Sequence, residues 1–206
     1  MSSVRTVVAA VAGLVLIAAR ARAETPKEAL LAAVAAEGAA QHKRIVIQMT
    51  WDGKDVLQNW DIVAPDRFLF RQRSQAADFE LYVIGRTVYG REPGGWRQAP
   101  LGPASPPGGT VDWVKRAFDN TLGEVSLVGT ETVSGQSAKR YAAQVHYRDQ
   151  VGAFVGRADL WVSTASSKPL RATFTGTYGE RPFKADKTVN YDPELTLAVP
   201  SPILNP

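Results

Sequence analysis

His42 and His146 are the only imidazoles in a chain of 206 residues that has no cysteine. Nucleophilic or metal chemistry would therefore have to run through these two side chains or through carboxylates. Neither histidine has an acid at ligand spacing, and each reads as an ordinary surface or hydrogen-bonded residue. No serine lies in a Gly-x-Ser-x-Gly elbow, and no Gly-x-Gly-x-x-Gly or phosphate loop occurs. Asp52 with Asp55, or Asp78 with Glu80, could act as an acid–base pair, but the first brackets a turn and the second a strand start. Arg67, Arg71 and Arg73 share one strand face; they could grip an anionic head group or simply keep an outer face soluble. The reading is a protein without catalytic residues, metal ligands or cofactor, and so not an enzyme.

What remains is apolar and aromatic. Trp51, Trp60, Phe68, Phe70 and Phe79 fall on successive strand patterns with Met49 beside them. The residues expected to line a ligand-binding concavity are Ile47, Met49, Trp51, Trp60, Ile62, Phe68, Phe70, Leu81, Val114 and Phe118. A packed helix-on-sheet core uses the same residue types, so a filled core and an open pocket both stay open at this point.

The elements that must position these side chains follow from the period of the pattern. Pro26 to Ala40 predicts a helix, with Leu30, Leu31, Val34 and Ala35 along one stripe. From Lys43 the period changes to two: Ile45, Ile47, Met49 and Trp51 share a face, Asp52-Gly53 supplies a hairpin turn, and Val56, Trp60 and Ile62 continue on the returning strand. Phe68 and Phe70 alternate with arginines after a corner at Pro65-Asp66, and Phe79 to Ile84 predicts a strand covered on both sides. Pro93 to Gly109 is dense in proline and glycine and predicts a long loop without strand or helix. Thr110 caps a second predicted helix through about Asn120. Strands follow over 124–133, 138–147, 157–162, 169–178 and 183–191, with a turn at Ser134-Gly135, and Pro200 to Pro206 is expected to be extended and peripheral. The fold class is α+β: about ten strands in a large curved antiparallel sheet, an incomplete barrel, with helices covering its concave face.

Residues 1–23 read as a secretory signal, with Arg5, an apolar run from Val7 to Ala19, and Ala21 and Ala23 before the cleavage point. The run is shorter than the roughly 18–20 residues of a membrane span. Residues 24–206 then form one domain, expected in the periplasm. Of 24 Lys and Arg, three lie in the signal, leaving 21 against 20 acids. The basic balance belongs to the leader, and nucleic acid is excluded as a partner. Without cysteine no disulfide holds the fold.

The chain resembles the periplasmic lipoprotein-carrier superfamily, which includes the lipoprotein-localisation carrier, the mycobacterial lipid-binding lipoproteins and the sensor domain of a sigma-factor regulator. The resemblance is carried, in order, by the helix and strand pair, Val63-Ala64-Pro65-Asp66-Arg67-Phe68, Val83-Ile84-Gly85-Arg86-Thr87-Val88-Tyr89, Gly95-Trp96, Gly129 to Gly135, and Leu160-Trp161-Val162 before Lys168-Pro169-Leu170-Arg171. It implies an incomplete barrel lidded by helices around an apolar cavity, with the segment from Thr110 as the moving lid. It also implies a lipid or acylated ligand as partner, with a membrane protein as a transient second one. The localisation carrier has an arginine where this chain has Ala64. The alternative use of the same fold is a sensor or interaction module for a protein partner.

Overall fold

The computed structural model describes residues 24–100, 122–148 and 152–204. Its first element, α1 (Pro26–Ala39), begins where Thr25 and Glu28 cap each other: Thr25 Oγ1 accepts from the Glu28 backbone N–H, and Glu28 Oε2 accepts from that of Thr25. Pro26 sits in the first turn, where its missing N–H is not needed. The buried stripe is Leu30, Ala33, Val34 and Glu37, one residue round from the expected one, and Ala35 is exposed. The reason is electrostatic: Glu37 is neutralised by Lys187, so an acid can occupy the fourth buried position.

Eleven strands form antiparallel pairs and a twelfth adds in parallel. They are β1 (His42–Trp51), β2 (Lys54–Val63), β3 (Arg67–Ser74), β4 (Asp78–Ile84), β5 (Thr87–Glu92), β6 (Gly95–Pro100), β7 (Leu122–Val133), β8 (Gln136–Arg148), β9 (Ala153–Ser163), β10 (Pro169–Tyr178), β11 (Arg181–Asn190) and β12 (Ile203–Leu204). The sheet order is β12-β6-β5-β4-β3-β2-β1-β11-β10-β9-β8-β7. It is thus two meanders, sewn together where β11 pairs with β1 from Arg44↔Asn190 to Trp51↔Phe183. Asp52-Gly53 and Ser134-Gly135 both adopt positive φ, as two-residue hairpin turns require.

Three expectations change. Gly95 to Pro100 was expected as loop and is β6, because the turn at Pro93-Gly94 folds it back on β5 and Pro100 falls at the strand's last position. The end of the chain is not merely peripheral: Ile203 pairs with Trp96. Helices over the sheet reduce, among the described residues, to α1 alone, which covers only part of one face; the helix expected from Thr110 lies outside the described residues. Beneath α1, Leu30, Ala33 and Val34 pack on Leu122, Tyr141, Ala143, Val145, Phe154, Ala158 and Leu160. At the centre of this half, Gly156 and Gly176 face each other, and a Cβ on either would come within 2.4 Å of backbone oxygen. Only glycines permit that close approach between β9 and β10.

The opposite face is a ladder of charges. Arg140 and Arg157 both donate to Asp159, Arg140 and the Trp161 indole donate to Glu131, and Arg171 pairs with Asp186. Burial pushes the Asp159 carboxyl up, but the two arginines outweigh it and hold the value below the usual range. Further along, Arg71 bridges Asp61 and Glu80. At the sheet's other end Leu69, Tyr82, Tyr89 and Trp96 are sealed by Leu197 of the C-terminal segment. Tyr82 and Val83 are both buried, as the two-sided pattern of that strand implied.

Two outcomes follow. Lys187→Met should lose about 3–5 kcal/mol in urea unfolding, since it strands a buried carboxylate, whereas adding Glu37→Gln should recover much of the loss. Because its folded pKa is depressed, Asp159 contributes stability that is complete above about pH 4 and is lost as pH falls through the folded value. Melting temperature followed from pH 6 to 2 should therefore drop, and drop less steeply in Asp159→Asn.

Candidate functional site

The residues expected to bind ligand are brought to one face by register alone. Trp60 pairs with Ile45 on one side and Phe70 on the other; Phe70 pairs with Leu81; Ile62 pairs with Phe68. Ile47, Met49 and Trp51 continue along the same face of β1 by alternation. Eight of the ten expected residues thus share one face of β1–β4, which is also the face that carries α1 farther along the sheet. Val114 and Phe118 lie outside the described residues.

This half differs from the half beneath α1. Ile62 is buried, but Ile47, Met49, Trp60, Phe68, Phe70 and Leu81 are only half-buried, and Trp51 and Phe79 are 39% and 49% exposed. The rings nevertheless form a continuous surface. Trp60 and Phe70 stack with centroids 4.1 Å apart, Phe68 lies 6.1 Å from Trp60, and Phe79 lies 6.0 Å from Phe70. Gln58 and Gln72 satisfy each other through a 2.9 Å hydrogen bond, so polar atoms in the same rows are paired off. Trp51 meets Tyr178 edge-on at 5.6 Å.

Where this surface meets the α1 half, three charged side chains are buried. Lys187, opposite Ile47 in register, pairs with Glu37 of α1. Lys43, 1% exposed, donates its Nζ to the Glu37 backbone oxygen at the end of the helix. Burial lowers the Lys43 pKa; Glu37 opposes this, and Lys187 and Lys168 add to it. Burial also pushes the neighbouring Tyr191 hydroxyl far up, so it stays protonated and donates to the Pro169 oxygen. The sequence reading missed this cluster. Its signal was parity: Lys43 alternates with Ile45 and Ile47, and Lys187 with Ala185 and Val189, which puts two ammonium groups on an apolar face.

A groove of about 780 Å³ lies across one end of β10, β11, β1, β2 and β3. Gln48, Thr50, Asp55, Arg73, Thr173 and Lys184 line it from the polar face and Met49, Val56, Phe174 and Ala185 from the other, so of the eight apolar residues only Met49 touches it. The carboxylates considered for acid–base work are each held by another group: Asp52 by Arg181, Asp55 by Thr50, Asp78 by Arg73 and Glu80 by Arg71. Among the described residues no three His, Asp or Glu side chains converge as metal ligands, and no helix is long and apolar enough to cross a membrane.

The half-exposed rings predict a contrast in stability. Phe70→Ala should cost less than about 2 kcal/mol in chemical unfolding, because part of its surface is already in water. Leu160→Ala beneath α1 should cost about 2–5 kcal/mol.

No protein-family model matches the chain, and no curated protein matches it. Solved structures do. The Mycobacterium tuberculosis lipoprotein LppX aligns with TM-score 0.59 at 13% identity, over 84% of this chain and 97% of that one. LprF from Mycobacterium bovis aligns with TM-score 0.59 at 11% identity, over 84% of this chain and 96% of its own. Such identities speak of architecture alone: the chain has the fold of LppX and LprF.

Proposed function

We propose that the protein is an extracytoplasmic, non-enzymatic carrier or binder of a lipid or another hydrophobic ligand. The ligand is held in an apolar cavity floored by the Trp60–Phe70 face, and residues 1–23 direct the chain to the periplasm. One observation carries the reading: a fold shared with a lipoprotein leaves large aromatic side chains half-buried or exposed over four adjacent strands. Beneath α1 the same sheet buries even its rings, Tyr141 and Phe154. Each methylene of an acyl chain laid on that surface contributes about 0.8 kcal/mol, so a chain of ordinary length supplies the affinity without any polar contact.

Native mass spectrometry on protein purified without detergent tests the reading. A retained adduct that yields lipid on extraction, and that declines in Trp60→Ala and Phe70→Ala, is the expected result. A ligand-free protein with a solid, fully packed interior would overturn it, and a stable co-purifying protein in place of lipid would turn the reading to an interaction module.

A further inference from the structure

Two buried ammonium groups meet at one glutamate in the interior of this protein. Lys43 and Lys187 are 1% and 7% exposed, and Glu37, at 7%, is the acid that both contact. An ammonium has three N–H donors. Among the described residues each lysine uses one, Lys43 on the Glu37 backbone oxygen and Lys187 on its carboxylate. A third cation is close enough to act on Lys43: Lys168, whose Nζ lies 4.9 Å over the Tyr191 ring. Two buried lysines against one acid, with the half-buried Lys168 beside them, leave an excess of positive charge where desolvation is expensive.

Anchoring α1 requires less than this. Glu37 and Lys187 alone form a neutral pair between helix and sheet, and the carbonyl at the helix end could be satisfied by any neutral donor. The surplus consists of the second and third ammonium groups and the N–H donors they leave over. Its position is specific, since Lys187 stands directly opposite Ile47, and Lys43 lies two residues before Ile45 on the same face of β1. The cationic cluster is thus the head of the apolar surface that runs through Ile47, Met49 and Trp60.

The geometry points to an anionic head group, a carboxylate or a phosphate monoester, as the polar end of the ligand: its oxygens take the spare N–H donors of Lys43 and Lys187 while its chain lies along the Trp60–Phe70 surface. This rests on the reading of that surface as a lipid site and adds the class of lipid. Anionic oxygens would neutralise the surplus charge and satisfy its donors together, which a neutral glyceride or alcohol would not. Lys187 has a flexible four-carbon stem, so its ammonium can turn toward the Ile47 side without moving the strand.

The test compares three probes that share one chain, oleate, oleyl phosphate and oleyl alcohol, titrated below their aggregation thresholds into delipidated protein by calorimetry. Binding of the alcohol reports the apolar surface alone, and absence of binding by all three probes would sink the lipid reading and this inference with it. The inference itself expects at least one anionic probe to bind tenfold or more tightly than the alcohol, and the stronger of the two identifies the source of the charge. Lys43→Met should bring that preference to within about twofold, with alcohol binding by the same variant as the reference. Lys168→Gln, a half-buried and milder change whose folding is checked by circular dichroism, should lower the preference about threefold. Equal affinity for alcohol and both anions in the wild type, or a full preference retained in both variants, would overturn the proposal while leaving the lipid reading intact.

Discussion

The arrangement of the α1-bearing face depends on one buried ion pair, Glu37 with Lys187. A fourteen-residue helix is marginal on its own, and α1 must take its stability from docking. Its apolar contribution is modest, since only Leu30 and Val34 are large among its buried residues. The pair supplies what apolar contact does not supply, a fixed azimuth. With the Glu37 side chain tied to β11 and its carbonyl held by Lys43, the helix cannot roll or slide toward β1. That fixes where the covered half of the face ends and where the half-exposed aromatics begin.

The opposite face shows how a twelve-stranded sheet without disulfides remains ordered. Arg157 with Asp159 lies within β9, but most of its ion pairs join neighbouring strands: Arg140 on β8 to Asp159 on β9, Arg171 on β10 to Asp186 on β11, Arg71 on β3 to Asp61 on β2 and Glu80 on β4. Single exposed pairs contribute little, but a ladder that fixes register at successive seams specifies which strand lies beside which. Trp161 is the apolar element in this ladder, buried beneath the Arg140 and Arg171 guanidinium groups at 5.2 and 5.1 Å and hydrogen-bonded to Glu131. The two sheet edges are managed differently. β12 closes part of β6, whereas β7 carries two register irregularities and exposes Leu127 and Val128.

Much of the fold was legible in the sequence because alternation is a local signal. Trp60 and Phe70 could be placed on one face from parity and two turn signals, and register then made them neighbours. Polar residues at apolar positions were harder to read. Glu37 looks like a solvated residue of a helix until Lys187, 150 positions later, is known to meet it. Composition also misled at Gly95 to Pro100, where a glycine and a proline bound a strand instead of breaking one, since each occupies an end where the lost freedom or the missing donor does little harm. The meeting of β1 with β11 joins the two halves of the chain, and nothing local to either strand announces its partner.

The division of one face into a closed half and an open half follows from side-chain size. Beneath α1 the strands present Ala143, Ala158, Ala172 and the facing glycines 156 and 176, which leave room for the helix and for the buried rings of Tyr141 and Phe154. On β1–β4 the equivalent positions carry Trp60, Phe68, Phe70 and Leu81, which stand too tall for a helix to pack at the same depth. Large flat rings that already support one another at 4.1 Å lose little rotamer freedom when something slides across them, which lowers the entropic cost of binding. Small residues under the helix and large ones beyond it therefore do opposite work from the same pleat. The first set makes a closed interior, and the second a surface that leaves part of its apolar area in water.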